Sequence, residues 1–496
     1  MDNFVLLVLL FLALPAWLLY RRWSLRRRKL PPGPFPPPII GNILQLGQHP
    51  NRSLAKLART YGPLMSLRLG SSYAVIVSSS EMAKEVLQKH DAVFSGRAMP
   101  TCVKVHDHHN VSMNVIPLGS RWRKFRKICA EKLFSNIRLD GSEELRTERL
   151  TKLREYVREC SEGGREMNVV EATFVTMMNL MWATLFSSEM TTYDSDASQE
   201  LKEIINGITR YMGLPNVADF FPIFERLDPQ GIKRKVEFYM GKLLAIMGDL
   251  VEQRLKSRRS TLHYQKKNDF LETLLDIHEG GEYDLSLKEI KHLLTDLIIA
   301  GADTTSSTTE WAMTELLLNP DKLSKAKHEL RTIIGENKQM RESDISRLPY
   351  LKAVVKEVLR CHPPSPLLAP HKTEEDVELN GYIIPKHTKV LINVWAITKD
   401  PTLWTDPNSF EPERFLDNNI DFKGQDFELI PFGSGRRICP GLPLAYRMLH
   451  VLVATLIHNF DWKFEVGAEG KEAHRTDVFG LALQKAFPLR ATPISL

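Results

Sequence analysis

One short loop constrains this chain more than any other part of its sequence: residues 431 to 441 read PFGSGRRICPG. Its three glycines permit backbone turns that a residue with a Cβ resists. Cys439 stands at the end of the loop, immediately before the apolar, helix-patterned run that begins at Leu442. A thiolate near a helix N-terminus is stabilised by free N–H groups and the helix dipole, and it is a soft metal ligand. The alternative for a lone cysteine is a small buried hydrophobic residue.

The pattern Phe432-x-x-Gly435-x-Arg437-x-Cys439-x-Gly441 resembles, at every fixed position, the haem-binding loop of the cytochrome P-450 family of haem-thiolate monooxygenases. The resemblance implies the fold of that family, mainly α with small β-sheets. It also implies that Cys439 is the axial ligand of a haem b iron, with Phe432 and Arg437 as further cofactor contacts. A thiolate ligand pushes electron density into the iron and favours O–O cleavage. The expected activity is therefore a monooxygenation that uses O2 and NADPH-derived electrons.

A second stretch that agrees with the family is Thr295 to Thr305, TDLIIAGADTT. Taken alone, it reads as a buried helix with a polar face in its middle. The resemblance implies that the hydroxyl of Thr304 orients dioxygen, that Asp303 relays protons from solvent, and that small Ala300 lies beside the cofactor. Haem-thiolate isomerases need no oxygen activation, and a non-enzymatic haem protein would need neither residue. The acid–threonine pair therefore favours a monooxygenase over these two alternatives.

The basic stretch Arg121 to Lys127, RWRKFRK, places Trp122 and Arg126 one helical turn apart. By resemblance these two residues and His371 contact the haem propionates, although arginine is also common in the family where His371 stands. The other cations of the stretch are either a solvated face or a docking patch for an acidic electron donor. We expect the donor to be a separate NADPH-cytochrome reductase, because the chain contains no flavin or nicotinamide motif.

A charge pair on another predicted helix, Glu357 and Arg360, shares one helical face because its members are three residues apart. Without context such a pair is an ordinary solvated ion pair. In the family these two charges and a second arginine, here Arg414 in Pro412-Glu413-Arg414-Phe415, form a buried network that braces the haem-binding core. Its expected role is structural.

The substrate is predicted from apolar residues in the stretches that line the cavity in the family, and their composition indicates a small apolar molecule. Three further stretches, at residues 94–97, at 219–222 with 227–231, and at 421–427, resemble the plant microsomal subgroup that contains geraniol 8-hydroxylases and the ferruginol synthases that oxidise abietane diterpenes. We therefore expect a terpenoid substrate, namely an abietane-type diterpene, with a monoterpene alcohol as the alternative. The predicted lining residues are Val103, Val105, Leu214, Phe220, Leu297, Ala300, Leu367, Leu368, Phe479 and Leu481.

The N-terminus predicts how the protein is anchored. Residues 4–20 form a run of 17 uncharged, mostly apolar residues, and the basic cluster from Arg21 to Lys29 follows it. This order is the reverse of a cleaved signal peptide and places the cationic side in the cytoplasm. We expect residues 1–29 to be a single-pass anchor in the lipid bilayer of the endoplasmic reticulum membrane, with the catalytic domain facing the cytoplasm. Residues 30–40 are expected to form a Pro-rich linker and residues 41–496 the haem domain.

Charge is concentrated in that anchor. The chain has 66 basic and 60 acidic residues, and six basic residues and one acidic residue lie within residues 1–29. The body is therefore nearly neutral, which excludes a nucleic-acid binder driven by overall charge. Its five cysteines are widely spaced and include no C-x-x-C pair, so we expect neither a disulfide framework nor a zinc site.

Overall fold

The computed structural model describes residues 30–189, 192–193, 196–260, 264–281, 283–336, 338–466 and 470–496. The predicted anchor, residues 1–29, lies outside the described residues. The described part is rich in helix and carries small sheets, as expected. Its α-helices are, in chain order, α1 (Pro50–Tyr61), α2 (Ser80–Lys84), α3 (Ser120–Lys132), α4 (Asn136–Asp140), α5 (Glu143–Glu162), α6 (Val169–Phe186), α7 (Asp196–Gly213), α8 (Val217–Phe220), α9 (Ile232–Ser260), α10 (Phe270–Gly280), α11 (Leu287–Leu318), α12 (Pro320–Ile334), α13 (Pro349–Cys361), α14 (Val394–Thr398), α15 (Leu442–His458) and α16 (Gly470–His474).

The strands are short and mostly lie at the edge of the helical body. A five-stranded sheet has the order β1-β2-β8-β5-β3, in which only β2 and β8 run parallel. A three-stranded sheet has the order β4-β12-β9, and the pairs β6–β7 and β10–β11 are separate ribbons. The strands are β1 (Leu64–Leu69), β2 (Ser72–Val77), β3 (Gly96–Arg97), β4 (Met167–Asn168), β5 (His371–Lys372), β6 (Val377–Leu379), β7 (Tyr382–Ile384), β8 (Lys389–Ile392), β9 (Phe460–Lys463), β10 (Asp477–Val478), β11 (Gln484–Lys485) and β12 (Arg490–Ser495).

The longest helix, α11, crosses the molecule and starts where its capping residues predict. Ser286 accepts from the backbone N–H of Glu289, whose carboxylate accepts in return from the N–H of Ser286, which closes a capping box. The helix ends before Pro320, and most of its side chains are buried. The helical period of the sequence predicts helices from Leu287 to Leu318 and from Pro349 to Cys361, and these are the bounds of α11 and α13. The sequence also predicts a hairpin of strands at Leu64 to Leu69 and Tyr73 to Val77, which the antiparallel pair β1 and β2 confirms.

Sequence periodicity missed α6 because this helix is apolar on every face. It packs against α5 and α11 in the centre of the protein. Among the described residues it is the one helix long and apolar enough to cross a membrane, but 78% of it is buried inside the protein. A helix without a polar face lacks the amphipathic pattern on which helix prediction relies.

Two predicted elements end differently in the structure. The sequence pattern predicts a helix from Glu81 to His90, where the structure has a short α-helix, α2, that continues as a π-turn over Glu85–Lys89. The pattern also predicts a helix from Leu442 to Phe460, but α15 ends at His458, because Phe460 begins strand β9 and pairs with Ser495.

The Pro-rich segment before the helical body lies against the sheet. The hydroxyl and the N–H of Ser66 in β1 donate to the carbonyls of Pro31 and Pro32, at 2.6 and 2.8 Å. A Cβ on Gly33 would come within 1.9 Å of the Ser66 carbonyl oxygen, so a glycine is required for this close approach. Residues 30–40 are therefore packed against the fold rather than a free tether.

Candidate active site

The loop before α15 is held in one conformation by its glycines and by the chain beneath it. Gly433 and Gly435 have φ values of +71° and +64°, which favour glycine. A Cβ on Gly435 would lie 2.0 Å from the carbonyl oxygen of Leu87, so the loop passes directly over the π-turn. The N–H of Cys439 donates to the Phe432 carbonyl at 3.0 Å and closes the loop.

Cys439 lines the main internal cavity of the described structure, just before the first turn of α15. Burial raises the pKa of its thiol, whereas hydrogen bonds from the backbone N–H groups of Gly441 and Leu442 and the charge of Arg126 lower it. The position of Cys439 before a helix predicts these hydrogen bonds, but the opposing effect of burial is visible only in the structure. A metal bound to the sulfur would favour the thiolate that these N–H groups are placed to stabilise.

Three guanidinium groups lie close together, and two of them, Arg97 and Arg437, line the same cavity. Arg437 donates to the carbonyls of Ser95 and Ile116, Arg126 donates to the carbonyl of Ile438, and Arg97 donates to the carbonyl of Ala369. Burial and the other two guanidinium groups lower the pKa of Arg97 to about 9, and burial and Arg126 lower that of Arg437 to about 10. The buried Nε of Arg97 has no hydrogen-bond partner. This donor set is suited to an anion with more than one carboxylate.

Sequence reasoning missed Arg97. The stretch from Phe94 to Arg97 contributed only to the subgroup resemblance. Arg97 lies in β3, and pairing of β3 with β5 places Arg97 opposite His371. Only this strand pairing brings the residue to the cavity, so no local sequence signal could have identified it.

The other two predicted propionate contacts differ in position. Trp122 is buried behind the arginines, with the guanidinium carbons of Arg437 and Arg126 at 5.1 and 5.7 Å from its ring centroid. His371 lines the cavity, and its Nδ1 hydrogen-bonds the Phe94 carbonyl at 2.7 Å. Burial and the charge of Arg97 lower its pKa to about 3. In this neutral form Nε2 is an acceptor, so His371 must gain a proton before it can donate to a carboxylate.

Helix α11 forms the opposite wall of the cavity. Thr304 and Ala300 are open to the cavity, and the Thr304 hydroxyl donates to the Ala300 carbonyl at 2.9 Å. Asp303 is buried beside them and accepts from Nε2 of Gln484 at 3.0 and 3.1 Å. Burial raises the pKa of Asp303, partly opposed by that hydrogen bond. The wall therefore carries a hydroxyl and, one residue away, a carboxyl group that retains its proton more readily than usual.

The cavity between these walls has a volume of about 400 Å³ and a mostly apolar lining. Besides Ala300, the predicted residues Val103, Leu297, Leu368 and Leu481 lie on it. Three methionines that were not predicted, Met177, Met181 and Met240, also line it, and Met181 packs against Gly301, where a Cβ would come within 3.1 Å of its atoms. Met177 and Met181 were not predicted because they belong to α6, which the sequence pattern does not reveal. Met240 was not predicted because α9 reaches the cavity only through tertiary packing.

The other predicted lining residues lie outside the cavity, which corrects that part of the prediction. Leu367 and Phe479 belong with Phe220 to the apolar cluster beneath the β1–β2 hairpin. Val105 is buried in the main core, and Leu214 is 39% exposed. For Leu367 the reason is local: the next residue, Leu368, has a φ of +51°, and the two adjacent side chains enter different apolar regions. Assigning whole stretches to the cavity cannot resolve such reversals.

The predicted charge network is buried and fully connected. Arg360 makes two hydrogen bonds of 2.7 Å to the carboxylate of Glu357 and donates to the carbonyls of Thr398, Pro407 and Ser409. Nε of Arg414 lies 3.1 Å from Glu357 and completes the set. The side chains of Glu357 and Arg360 are fully buried. The network ties α13 to the segment after it and touches no part of the cavity lining named above.

Comparison with known proteins places the chain among enzymes. The model of the family described as Cytochrome P450 matches residues 31–486. The chain is 59% identical to a carnosic acid synthase from Rosmarinus officinalis, with all of both chains covered. It is 57% identical to an 11-hydroxysugiol 20-monooxygenase from Salvia miltiorrhiza, covering 99% of this chain and 100% of the relative. A ferruginol synthase from the same species is 52% identical, over 100% of this chain and 99% of the relative.

Proposed function

Because this chain belongs to the cytochrome P450 family, we propose that it is a monooxygenase that hydroxylates an abietane-type diterpene with O2 and NADPH-derived electrons. One observation carries the proposal: a mostly apolar cavity is bounded by the Cys439 sulfur on one side and by the hydroxyl of Thr304 on the other. The substrate class follows from the relatives, whose names denote oxidation of abietane-type diterpenes.

The residues at the site fit a haem b. Cys439 offers a thiolate, and the partnerless Nε of Arg97 is one of several donors at the cavity rim available to two propionates. Arg126 and Arg437 add two further cations, and Trp122 packs beneath both. When bound, the haem iron supplies the activation of dioxygen, and the protein supplies position and charge.

The chain's own residues then have distinct tasks. Thr304 presents a hydroxyl to the cavity, where it can orient oxygen and water by hydrogen bonding. Burial raises the pKa of Asp303, so its carboxyl group retains a proton more readily than usual, and Gln484 fixes the orientation of that group. The apolar lining excludes bulk water and positions the hydrocarbon skeleton of the substrate.

We propose that electrons come from a separate NADPH-cytochrome reductase and that residues 1–29 anchor the protein in the endoplasmic reticulum membrane with the body in the cytoplasm. The uncharged run followed by a basic cluster supports this orientation. In the predicted docking patch, Arg121 and Lys124 pair with Glu289, whereas Arg123 is exposed. Only part of the patch is therefore available to an acidic partner.

The test is a substrate panel. Microsomes that contain the protein, the reductase and NADPH are given abietane diterpenes and monoterpene alcohols, and the products are identified. We expect hydroxylation of an abietane, dependent on NADPH and abolished in Cys439→Ser, which serves as the matched inactive control. Turnover of monoterpene alcohols alone would reject the diterpene assignment. Rearrangement of a peroxide without NADPH would reject the monooxygenase.

A further inference from the structure

The cavity contains one polar cluster that the reaction described above does not use. It consists of Asp296 on α11 and His108, Ser112 and Met113 on the loop between β3 and α3, with His292 behind them. Asp296, His108 and Ser112 line the cavity and are all buried, at 5%, 3% and 0% exposure. Elsewhere the cavity lining is mostly apolar, so a buried carboxylate here requires explanation.

The hydrogen bonds of the cluster leave capacity on the carboxylate. Asp296 accepts from the Ser112 hydroxyl at 2.8 and 2.9 Å, from the Met113 N–H at 2.9 Å, and from Nε2 of His108 at 3.2 Å. These are three donors, whereas a carboxylate offers about four lone-pair positions. One further donor can therefore bind, and the cavity is the side from which a ligand can approach.

The histidines hold the cluster in place. Nδ1 of His108 and Nδ1 of His292 are 2.8 Å apart, so one of them carries the shared proton. Burial and the charge of His108 lower the pKa of His292 to about 4, so His292 is neutral at cellular pH. When Nδ1 of His292 carries the shared proton, His108 bears its own ring proton on Nε2 and donates it to Asp296. When Nδ1 of His108 carries the shared proton, Nε2 donates to Asp296 only if the His108 ring is doubly protonated. The carboxylate is thus fixed by donors on both sides and is presented to the cavity as an acceptor.

The position of Asp296 relative to the reacting end is set by the helix. Asp296, Ala300 and Thr304 are four residues apart and lie along one face of α11. Eight residues of α-helix correspond to about 12 Å. A substrate held at Asp296 therefore extends along α11 towards Thr304, which suits a molecule of three fused rings.

We propose that Asp296, held by His108 and Ser112, binds a hydroxyl group of the substrate, so that the enzyme prefers an abietane that already carries a phenolic hydroxyl over the hydrocarbon of the same skeleton. This inference rests on the proposed function. The phenol O–H donates to the carboxylate, and such a charge-assisted hydrogen bond is stronger than a neutral one. A hydrocarbon has no O–H group, so it would leave one acceptor position of the Asp296 carboxylate without a hydrogen bond. A hydroxylating reaction must then precede this one and supply its substrate.

The experiment compares two ligands and three proteins. Ferruginol, an abietane phenol, and the aromatic abietane that lacks its hydroxyl are titrated into the haem-loaded enzyme, and binding is followed by the shift of the haem absorbance. Hydrogen bonds to charged groups predict that the wild type binds the phenol about ten- to hundredfold more tightly. Asp296→Asn should lose this preference mainly through weaker binding of the phenol, and KM for the phenol should rise more than kcat falls.

Ser112→Ala is the matched control, because it removes one hydrogen bond between loop and helix but keeps the carboxylate. It should retain the preference for the phenol. If Asp296→Asn and Ser112→Ala weaken both ligands equally, Asp296 only fastens the loop and the inference is wrong. The methyl ether of the phenol tests the wild type without any variant: it lacks the donor, and tight binding of the ether would also overturn the inference.

These outcomes are distinguishable from failure of the proposed function. If the wild type binds and oxidises phenol and hydrocarbon equally well, the diterpene function stands and the role of Asp296 fails. If it binds neither abietane, the proposed function fails and the inference fails with it.

Discussion

At the scale of single residues, the most informative feature of the site is a group of three arginines that have no acidic partner in the part of the chain that the structure describes. In the described residues, no carboxylate forms an ion pair with Arg97, Arg126 or Arg437. Burial and neighbouring guanidinium groups lower the pKa of Arg97 and of Arg437, and burial lowers the pKa of Arg126. Like charges held together in a partly buried site cost free energy unless an anion binds between them. This arrangement supports our proposal that the two carboxylates of a haem bind beside these residues.

Arg97→Gln tests this explanation. Because the variant removes a charged donor to a propionate, we expect haem to transfer to apomyoglobin about tenfold faster than from the wild type. Arg436→Gln is the matched control: Arg436 belongs to the same loop but pairs with Asp91 at the surface, at 3.0 Å. Equal transfer rates for Arg97→Gln and Arg436→Gln would contradict the role of Arg97.

Thr304→Ala tests the hydroxyl on the opposite wall. The reduced-CO spectrum should remain that of a thiolate-ligated haem, whereas product formed per NADPH consumed should fall at least about tenfold, since proton delivery is impaired. Thr309→Ala is the control, because its hydroxyl makes the same type of bond to the carbonyl four residues earlier but is fully buried. Full coupling in Thr304→Ala would contradict the proposed role.

At the scale of elements, α11 carries three polar side chains with different roles at successive positions along the helix. Asp296 faces the loop between β3 and α3, Thr304 faces the reacting end, and Glu315 accepts from Arg475 and His362 behind the site. The glycine at position 301 lets α6 approach closely. Helix α13 has a different task, since its charged face is committed to bracing.

Arg360→Lys tests that bracing. A lysine ammonium has three donors and no planar fork, so it cannot replace the bonds of Arg360 to Glu357 and to three carbonyls. Breaking a buried pair costs about 3–5 kcal/mol. We expect a large loss of haem-loaded protein, measured by the reduced-CO spectrum per unit of expressed chain. Arg331→Lys on exposed α12 should behave as wild type. Normal yield from Arg360→Lys would refute the structural role.

At the scale of the whole molecule, the cavity brings together segments that are far apart in the chain. The cavity is lined by residues from different elements, among them Cys439, Thr304, Arg97 and Val103, and these meet only because α6 and α11 pack through the centre.

The fold also decides which of two N-glycosylation sequons is accessible. They are Asn51-Arg52-Ser53 and Asn110-Val111-Ser112. Asn51 is fully buried, whereas Asn110 is exposed. Only Asn110 can report which side of a membrane the body occupies.

Glycosylation of Asn110 tests the predicted membrane topology. If the body faces the cytoplasm, endoglycosidase should leave the gel mobility of the full chain unchanged. The positive control replaces residues 1–29 with a cleavable secretory signal, which should expose Asn110 to glycosylation and make the mobility sensitive to the enzyme. A shift in the native chain would place the body in the lumen and overturn the proposed orientation.

The sequence by itself determined the features that depend on neighbouring residues. The cysteine loop, the acid–threonine pair, the charged face of α13 and the bounds of α11 are all local patterns, because turn glycines, helix caps and helical spacing act over a few residues. These patterns predict the roles proposed for Cys439, Thr304 and the Glu357 network. The order of apolar and basic residues at the N-terminus, on which the topology prediction depends, is also a local pattern.

Only the tertiary structure decided which residues share the cavity. Arg97 reaches it through the pairing of β3 with β5, and Asp296 contacts His108 although the two residues are 188 positions apart in the chain. Leu368 lines the cavity, whereas adjacent Leu367 packs in a separate apolar cluster. Helix α6 is likewise seen only in the tertiary structure, because a helix that is buried on every face has no amphipathic pattern from which it could be predicted. Contacts between distant segments carry no local signal, because they depend on how complete elements pack and not on the spacing of residues within one of them.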